Sequence, residues 1–372
     1  MTIEFVSLSI ADVVRLTPGA LGVTFAVPES LRARFAFRPG QHVNVRAVIG
    51  GAEVERCYSI CSDPAGADFQ IAIKRIGGGH FSDWANAKLT PGMTLAVAPP
   101  AGRFVLAPGQ GAPRHVLAIA AGSGITPVMS MLRHALSTEP ETRVTLIYGN
   151  RRQNEIIFRE ELEDLKDRHL DRFTLVHILS QGEMTDTPLL EGRIDGAKLR
   201  ALAAGIPIRD LAHAYLCGPG SMIKETRNAL FALGLPRERV HHEFFAAGGG
   251  AYRAKAAAST AEPAPGNQAS PQSPVADAAE STEVVITLDG QRHRIVAQRG
   301  ETVIDAALRA GLRVPYACKG GMCCTCRAKI LEGEAVMRVN YSLEAWEIEQ
   351  GFILTCQAVA GTPRLALDYD QM

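Results

Sequence analysis

The sequence has no charge imbalance: 39 lysines and arginines are matched by 39 aspartates and glutamates over 372 residues. No overall field is therefore available to gather nucleic acid or an anionic membrane surface, and neither is expected as a partner. Also missing is any run of 18 or more uninterrupted apolar residues, the length that spans a bilayer. The N-terminus, MTIEFVSLSIADVV, alternates apolar and polar residues like a strand. It has no basic segment leading into a long apolar run, so no secretory leader is expected. The expected compartment is the cytoplasm, where the eight cysteines are not disulfide staples. No internal repeat occurs. What is present, 47% hydrophobic and 21% charged residues, is the composition of a soluble globular protein, and the length suggests two or three domains, with three preferred.

Composition changes abruptly over residues 247–282, which are dominated by Ala, Gly, Pro and Ser. Too few large apolar side chains remain to offset the entropy of ordering, so this stretch reads as a flexible linker. Ahead of it, residues 1–109 show short alternating segments broken by Pro18-Gly19, Pro39-Gly40, Gly50-Gly51, Pro91-Gly92 and Pro108-Gly109, the texture of a small antiparallel barrel or sandwich. Residues 112–246 instead carry apolar runs at 116–121, 144–149, 173–179, 214–218 and 240–245. Helix-like segments such as IIFREELEDLKDR separate several of them, which is the pattern of a parallel sheet wrapped by helices.

The strongest motif lies in residues 283–372, where Cys318-KGGM-Cys323-CT-Cys326 is followed thirty residues later by Cys356. C-x4-C-x2-C with a distant fourth cysteine is the plant-type [2Fe–2S] spacing. Four thiolates must converge on two irons, and Gly320 and Gly321 let the backbone wrap them. Cys324 is assigned as a non-ligand, because the count works only if it is skipped. Zinc, the alternative, prefers two C-x2–4-C knuckles, and the second half offers only Cys356. EVVITLDGQRHRIVAQ reads as a hairpin turning at Asp289-Gly290, and ETVIDAALRAG as a capped helix ending at Gly311. Together these residues resemble the β-grasp ferredoxin family.

In the first segment Arg56-Cys57-Tyr58-Ser59 offers a cation for phosphate, an aromatic face for an isoalloxazine ring and a hydroxyl for its N5, with Arg56 and Tyr58 on one side of a strand. About fifteen residues on, Gly77-Gly78-Gly79 allows close backbone approach, and the N–H groups of His80, Phe81 and Ser82 at a helix start suit a phosphate. VLAIAAGSGITPVMSML is a strand, a Gly-Ser-Gly loop and a helix with Pro127 in its first turn. It is not the GxGxxG fingerprint. The run from Cys217 through Gly218, Pro219, Gly220 and Ser221 to Met222 closes a later strand. Basic residues after Asn150, Arg151 and Arg152, favour a 2′-phosphate, hence NADPH over NADH, although Arg151 also reads as a solvated surface residue. His241, His242 and the other histidines show no ligand spacing and read as structural.

In this order the motifs over residues 1–245 resemble the ferredoxin-NADP reductase superfamily. The resemblance implies a flavin-binding antiparallel β-barrel (1–109), a parallel α/β nicotinamide domain (112–246), a linker (247–282) and a β-grasp [2Fe–2S] ferredoxin domain (283–372). It assigns flavin binding to Arg56, Tyr58, Ser59, Ile73, Lys74, Gly79, His80, Phe81 and Ser82, with FAD favoured over FMN. Nicotinamide binding falls to Gly122, Gly124, Thr126, Asn150, Arg151, Cys217, Gly218, Pro219 and Met222, with Cys217 near the ring. Ser59 and Cys217 are the expected catalytic pair, Phe244 or Phe245 is expected to cover the flavin, and Cys318, Cys323, Cys326 and Cys356 ligate the metal. Hydride from NADPH would be converted at the flavin into single electrons for the cluster, with mobility of the linker carrying the cluster between flavin and acceptor. The chain lacks the two Glu-x-x-His motifs that a di-iron site needs and has no Rieske spacing, so oxidation is expected on a partner. The C-terminal region around CKGGMCCTC and GEAVMRVNYSLEAWEIEQGFILTCQAVAG closely resembles reductase components of multicomponent phenylacetyl-CoA epoxidases, which serve a di-iron oxygenase in phenylacetate catabolism. Reduction of another oxygenase, a desaturase or a hybrid-cluster protein stays open, as does a non-enzymatic electron-transfer or sensor module.

Overall fold

A computed structural model describes residues 4–76, 79–109, 111–181, 187–244, 252–255, 281–312, 314–316, 319–321, 326–340, 343 and 345–371. The chain forms two compact units, one over Glu4–Ala246 and one built on Ala247–Met372.

The first unit opens with β1 (Val6–Thr17), β2 (Ala20–Ala26), β3 (His42–Ile49), β4 (Ala52–Ser59), β5 (Phe69–Lys74), α1 (His80–Lys88) and β6 (Thr94–Val97). Their order is β4-β3-β6-β1-β2-β5, and every pairing is antiparallel. An Ile60–Ile71 bridge brings the two edges together, closing a barrel and removing exposed strand edges. Alternate residues point inward, so Leu8, Ile10, Val23, Val43, Val45, Ile71 and Ile73 share one core with Phe81 and Ala85 of α1. Gly50 and Gly51, both at positive φ, make the two-residue turn between β3 and β4 that the right-handed strand twist favours. Pro108-Gly109 differs from expectation. It forms no hairpin turn but belongs to an irregular stretch ahead of the next sheet, with the neighbouring Ala107 held by its N–H to the Tyr215 hydroxyl and its carbonyl to Arg114.

The same unit continues with β7 (Arg114–Ala121), α2 (Ile125–Thr138), β8 (Thr142–Asn150), α3 (Arg159–Arg168), β9 (Phe173–Leu179), α4 (Gly196–Leu202), β10 (His213–Gly218), α5 (Gly220–Ala232) and β11 (Val240–Phe244). The sheet order is β11-β10-β7-β8-β9, all parallel. The near-continuous apolar strands follow from burial on both faces. Val116, Ala118, Ala120 and Tyr148 pack with α2 and α3, while Leu117, Ile119, Ile147 and Leu216 pack with α5. The order reverses between β7 and β10, whose carboxyl ends frame the crevice where sheets of this kind take ligands. Barrel and sheet are pinned by α2. Ser130 Oγ donates to the Ser62 carbonyl at 2.7 Å and Arg133 Nη1 to the Cys61 carbonyl at 2.6 Å.

The second unit contains β12 (Tyr252–Lys255), β13 (Ser281–Leu288), β14 (Gln291–Gln298), α6 (Val303–Arg309), β15 (Arg327–Glu332), β16 (Glu334–Met337), α7 (Ala345–Glu349), β17 (Phe352–Leu354), β18 (Ala358–Ala360) and β19 (Arg364–Asp368). A mixed sheet, β14-β13-β19-β15-β17, and a small one, β12-β16-β18, surround a core shared with α6. Asp289 and Gly290, both at positive φ, turn the β13–β14 hairpin, and the Thr302 side chain caps α6 by accepting from the Asp305 amide. Part of the expected linker departs from its composition: Tyr252–Lys255 pairs antiparallel with Glu334–Met337. Strand pairing needs only backbone N–H and C=O groups and an open edge, so the composition of the surrounding segment does not forbid it. The linker's last two residues, Ser281 and Thr282, already belong to β13, while 247–251 and 256–280 lie outside the described residues.

Candidate cofactor crevice and iron–sulfur centre

The Arg56–Ser59 motif ends β4 at the barrel seam. Arg56 is exposed, and Tyr58 packs on Phe81 with ring centroids 5.6 Å apart. Burial pushes the Tyr58 phenol up, so it stays neutral. Ser59 is 2% exposed, and its Oγ has no hydrogen-bond partner among the described residues. A buried orphan hydroxyl costs about 1–3 kcal/mol, and an acceptor on a bound ring would remove that cost. Gly77 and Gly78 lie outside the described residues. Gly79 precedes α1, which has no side-chain N-cap bond. A Cβ at Gly79 would fall 2.6 Å from Ser82 Oγ, so only glycine fits this cradle. Behind it His80 is exposed, Phe81 and Ser82 are buried, and Ile73 lies in the barrel core. These features fit a flavin nucleotide.

Lys74, the last residue of β5, stands at the crevice. A Cβ on Gly122 would lie 3.3 Å from its Nζ. Partial burial lowers its pKa, more than Glu155 raises it, and it has no ion-pair partner at salt-bridge distance among the described residues. Gly122 takes φ +54°, a left-handed turn that costs glycine little, and its carbonyl accepts from the Tyr148 hydroxyl at 2.9 Å. Thr126 Oγ1 ties back to the Ser123 carbonyl at 3.0 Å. The β7 and β10 loops are in contact: a Cβ at Gly124 would sit 2.2 Å from the Cys217 carbonyl oxygen. Cys217 is fully buried beside Ala120 and, on β11, Glu243. Burial first and Glu243 second push its thiol up, so it is a neutral thiol at physiological pH. Pro219 precedes α5, and Met222 is buried beneath Gly218. Asn150 is buried at the end of β8 beside the Tyr148 hydroxyl, and Arg151 is exposed next to it. Phe244 borders Gly220 at the start of α5; Phe245 lies outside the described residues.

In the second unit Cys326 and Cys356 are both buried, and both sulfurs bear on the one buried phenol of Tyr369, whose pKa is raised by burial first and by these thiols after it. Two buried thiols beside one phenol fit half of a tetrathiolate site. Cys318 and Cys323 lie outside the described residues. Tyr369 donates to Thr355 Oγ1 at 2.7 Å, which donates to the Cys326 carbonyl at 2.9 Å. Neither Tyr369, Thr355 nor Tyr148 was visible to motif reading: each is a buried side chain whose partner is remote in sequence, and no local spacing marks it. A half-buried Arg114–Glu139 pair, 2.8 Å, is unmarked in the sequence for the same reason.

A flavin cradle and a nicotinamide crevice in one unit, with a cysteine centre in the other, define a redox protein of the reductase–ferredoxin class. Family models agree: residues 9–106 match the oxidoreductase FAD-binding domain, 118–228 the oxidoreductase NAD-binding domain and 286–361 the 2Fe-2S iron-sulfur cluster binding domain. The chain is 41% identical over 368 residues to a subunit of the 1,2-phenylacetyl-CoA epoxidase of Escherichia coli, covering 98% of each. It is 35% identical to the ferredoxin reductase component of the 3-ketosteroid-9-alpha-monooxygenase of Rhodococcus rhodochrous, over 98% of this chain and 97% of that one. Phthalate dioxygenase reductase shares the fold, with a TM-score of 0.60 and 22% identity over 98% of both chains. The chain therefore belongs to the FAD-, NAD- and [2Fe–2S]-containing reductase family of multicomponent oxygenases. It is an oxidoreductase of the ferredoxin-reductase type, an electron-transfer component that serves an oxygenase. No helix among the described residues is long and apolar enough to cross a membrane.

Proposed function

We propose that this chain draws hydride from NADPH and delivers electrons to the di-iron oxygenase of a phenylacetyl-CoA epoxidase. The observation that carries the reading is Lys74, which ends strand β5 of the barrel yet stands over Gly122 of the β7–α2 loop, which supports adjoining places for flavin and nicotinamide within one unit. Bound FAD supplies the conversion of a two-electron hydride into single electrons, which a [2Fe–2S] centre accepts one at a time. The chain's own residues bind and orient. Arg56, Gly79 and the N–H groups of His80, Phe81 and Ser82 hold the flavin phosphates. Tyr58 would face the ring, and the buried Ser59 Oγ would offer it a hydrogen bond near N5. Gly122, Gly124 and Thr126 receive the pyrophosphate at the start of α2, Lys74 adds a desolvated positive charge, and Arg151 engages the 2′-phosphate. The buried Cys217, with Gly218, Pro219 and Met222, forms the wall against which the nicotinamide rests and keeps water from it.

Cys318, Cys323, Cys326 and Cys356 hold the cluster. The functional boundaries follow as 1–109, 112–246 and 283–372, with 247–282 between. Thiolate ligands need a reducing compartment, which supports the cytoplasm. The 41% relative favours phenylacetyl-CoA epoxidase as the partner system over the 3-ketosteroid one. Anaerobic addition of NADPH or NADH, following flavin bleaching together with EPR of the reduced cluster, tests the path. Bleaching without growth of the cluster signal refutes it. Adding the purified oxygenase components of each system then identifies the acceptor by the rate of cluster reoxidation.

A further inference from the structure

We propose that Gln357 is a positioning residue for the iron–sulfur centre, tying the fourth ligand to the loop that carries the first. The proposal rests on the reading of Cys356 as a cluster ligand, its thiol here standing in for the metal-bound thiolate. The Gln357 carboxamide nitrogen approaches Cys356 Sγ at 3.8 Å and donates to the Lys319 carbonyl at 2.6 Å. A primary amide has two hydrogens, so one group can serve both partners. Lys319 follows Cys318 directly and takes φ +47°, a left-handed conformation that costs a non-glycine residue about 1–2 kcal/mol unless something holds it. The Gln357 chain also runs beside this loop, since a Cβ on Gly321 would meet its Cγ at 3.2 Å. Its own backbone is fixed on both sides, the N–H donating to the Leu354 carbonyl and the carbonyl accepting from the Arg338 N–H, each at 2.9 Å. The side chain therefore projects from an anchored base.

An N–H aimed at a ligand sulfur favours the more negative, reduced cluster, so it raises the reduction potential. Tying the loop to the ligand also slows loss of metal. The test uses full-length, cofactor-loaded protein carrying Gln357→Leu, which removes both donors, or Gln357→Glu, which keeps the shape and loses them when ionised. EPR-monitored redox titration is expected to show the reduced-to-oxidised cluster ratio falling about tenfold at fixed potential, about 59 mV for a one-electron couple. The flavin potential, read by absorbance, stays where it was. Stripping of iron by a chelator accelerates roughly tenfold. Loss of iron from Gln357→Leu during preparation, with flavin content and far-ultraviolet circular dichroism unchanged, also supports the clamp. Unmoved potentials and stripping rates in both variants overturn it, even if the unfolding temperature falls. Iron missing from the unaltered protein would remove the ligand reading instead.

Discussion

Replacing Gly124 by alanine tests whether the crevice between β7 and β10 is the site of hydride delivery. The new methyl carbon would be built 2.2 Å from the Cys217 carbonyl oxygen and 2.6 Å from its carbonyl carbon, both backbone atoms, and reaching even 3.0 Å from the oxygen requires the loops to part by roughly 0.8 Å. Neither side yields easily: Cys217 lies between β7 and β11 in the parallel sheet, and Gly124 opens α2, whose Ser130 and Arg133 are bonded to the barrel. Overpacking of this kind costs about 1–3 kcal/mol. A misplacement near 1 Å at reacting groups can cost about 100-fold in rate, or roughly 2.7 kcal/mol. Anaerobic stopped-flow reduction of the flavin by NADPH in Gly124→Ala is accordingly expected to slow by about 30- to 100-fold, with flavin and iron content retained. Gly205→Ala, where a Cβ meets nothing within 4 Å, is the matched control and should reduce at the parental rate. If Gly124→Ala keeps a rate within about twofold of the parent, hydride does not pass between these loops.

Other outcomes follow from single groups. Cys356→Ala should abolish the reduced-cluster EPR signal while NADPH still bleaches the flavin; a persisting signal would remove Cys356 from the ligand set. Lys74→Met deletes a partly desolvated cation beside Gly122, so the KM for NADPH should rise about tenfold, roughly 1.4 kcal/mol, and become less sensitive to salt. Arg151→Ala should weaken NADPH alone; no loss for either nucleotide would show Arg151 to be a solvated bystander, and equal loss for NADH would place its charge away from the 2′-phosphate. His241, stacked on Tyr215 and bonded to His213 at 3.0 Å, has its pKa lowered from 6.5 to about 4 by burial first and by His213 and His242 after it. The unfolded chain then binds the extra proton, so this contribution to stability is complete above about pH 6.5 and is lost as pH falls toward 4. The urea midpoint of the reductase unit should drop less between pH 7 and pH 5 in His241→Gln than in the parent, and parallel drops would refute the assignment.

Much of the architecture is legible in the sequence, because strands and turns are written in local periodicity. The run FTLVHIL forms β9 residue for residue, and Asp289-Gly290 turns its hairpin because both residues tolerate positive φ. Cysteine spacing is also local, and it points to a cluster although only Cys326 and Cys356 of the four lie among the described residues. What the linear text cannot express is which remote groups meet. Lys74 reads as the end of a barrel strand, and nothing nearby in sequence says that its ammonium stands over Gly122. That meeting depends on α2 docking against the carbonyls of Cys61 and Ser62. Tyr148 bracing the Gly122 carbonyl, Tyr369 reaching Thr355 behind Cys326, and Gln357 bridging Cys356 to Lys319 arise in the same way. Side-chain period and turn chemistry are set by neighbours a few residues away, so the chain alone determined the elements and the kinds of chemistry they carry. Contacts between distant segments are set by how packed layers come together, and only the tertiary structure decided those.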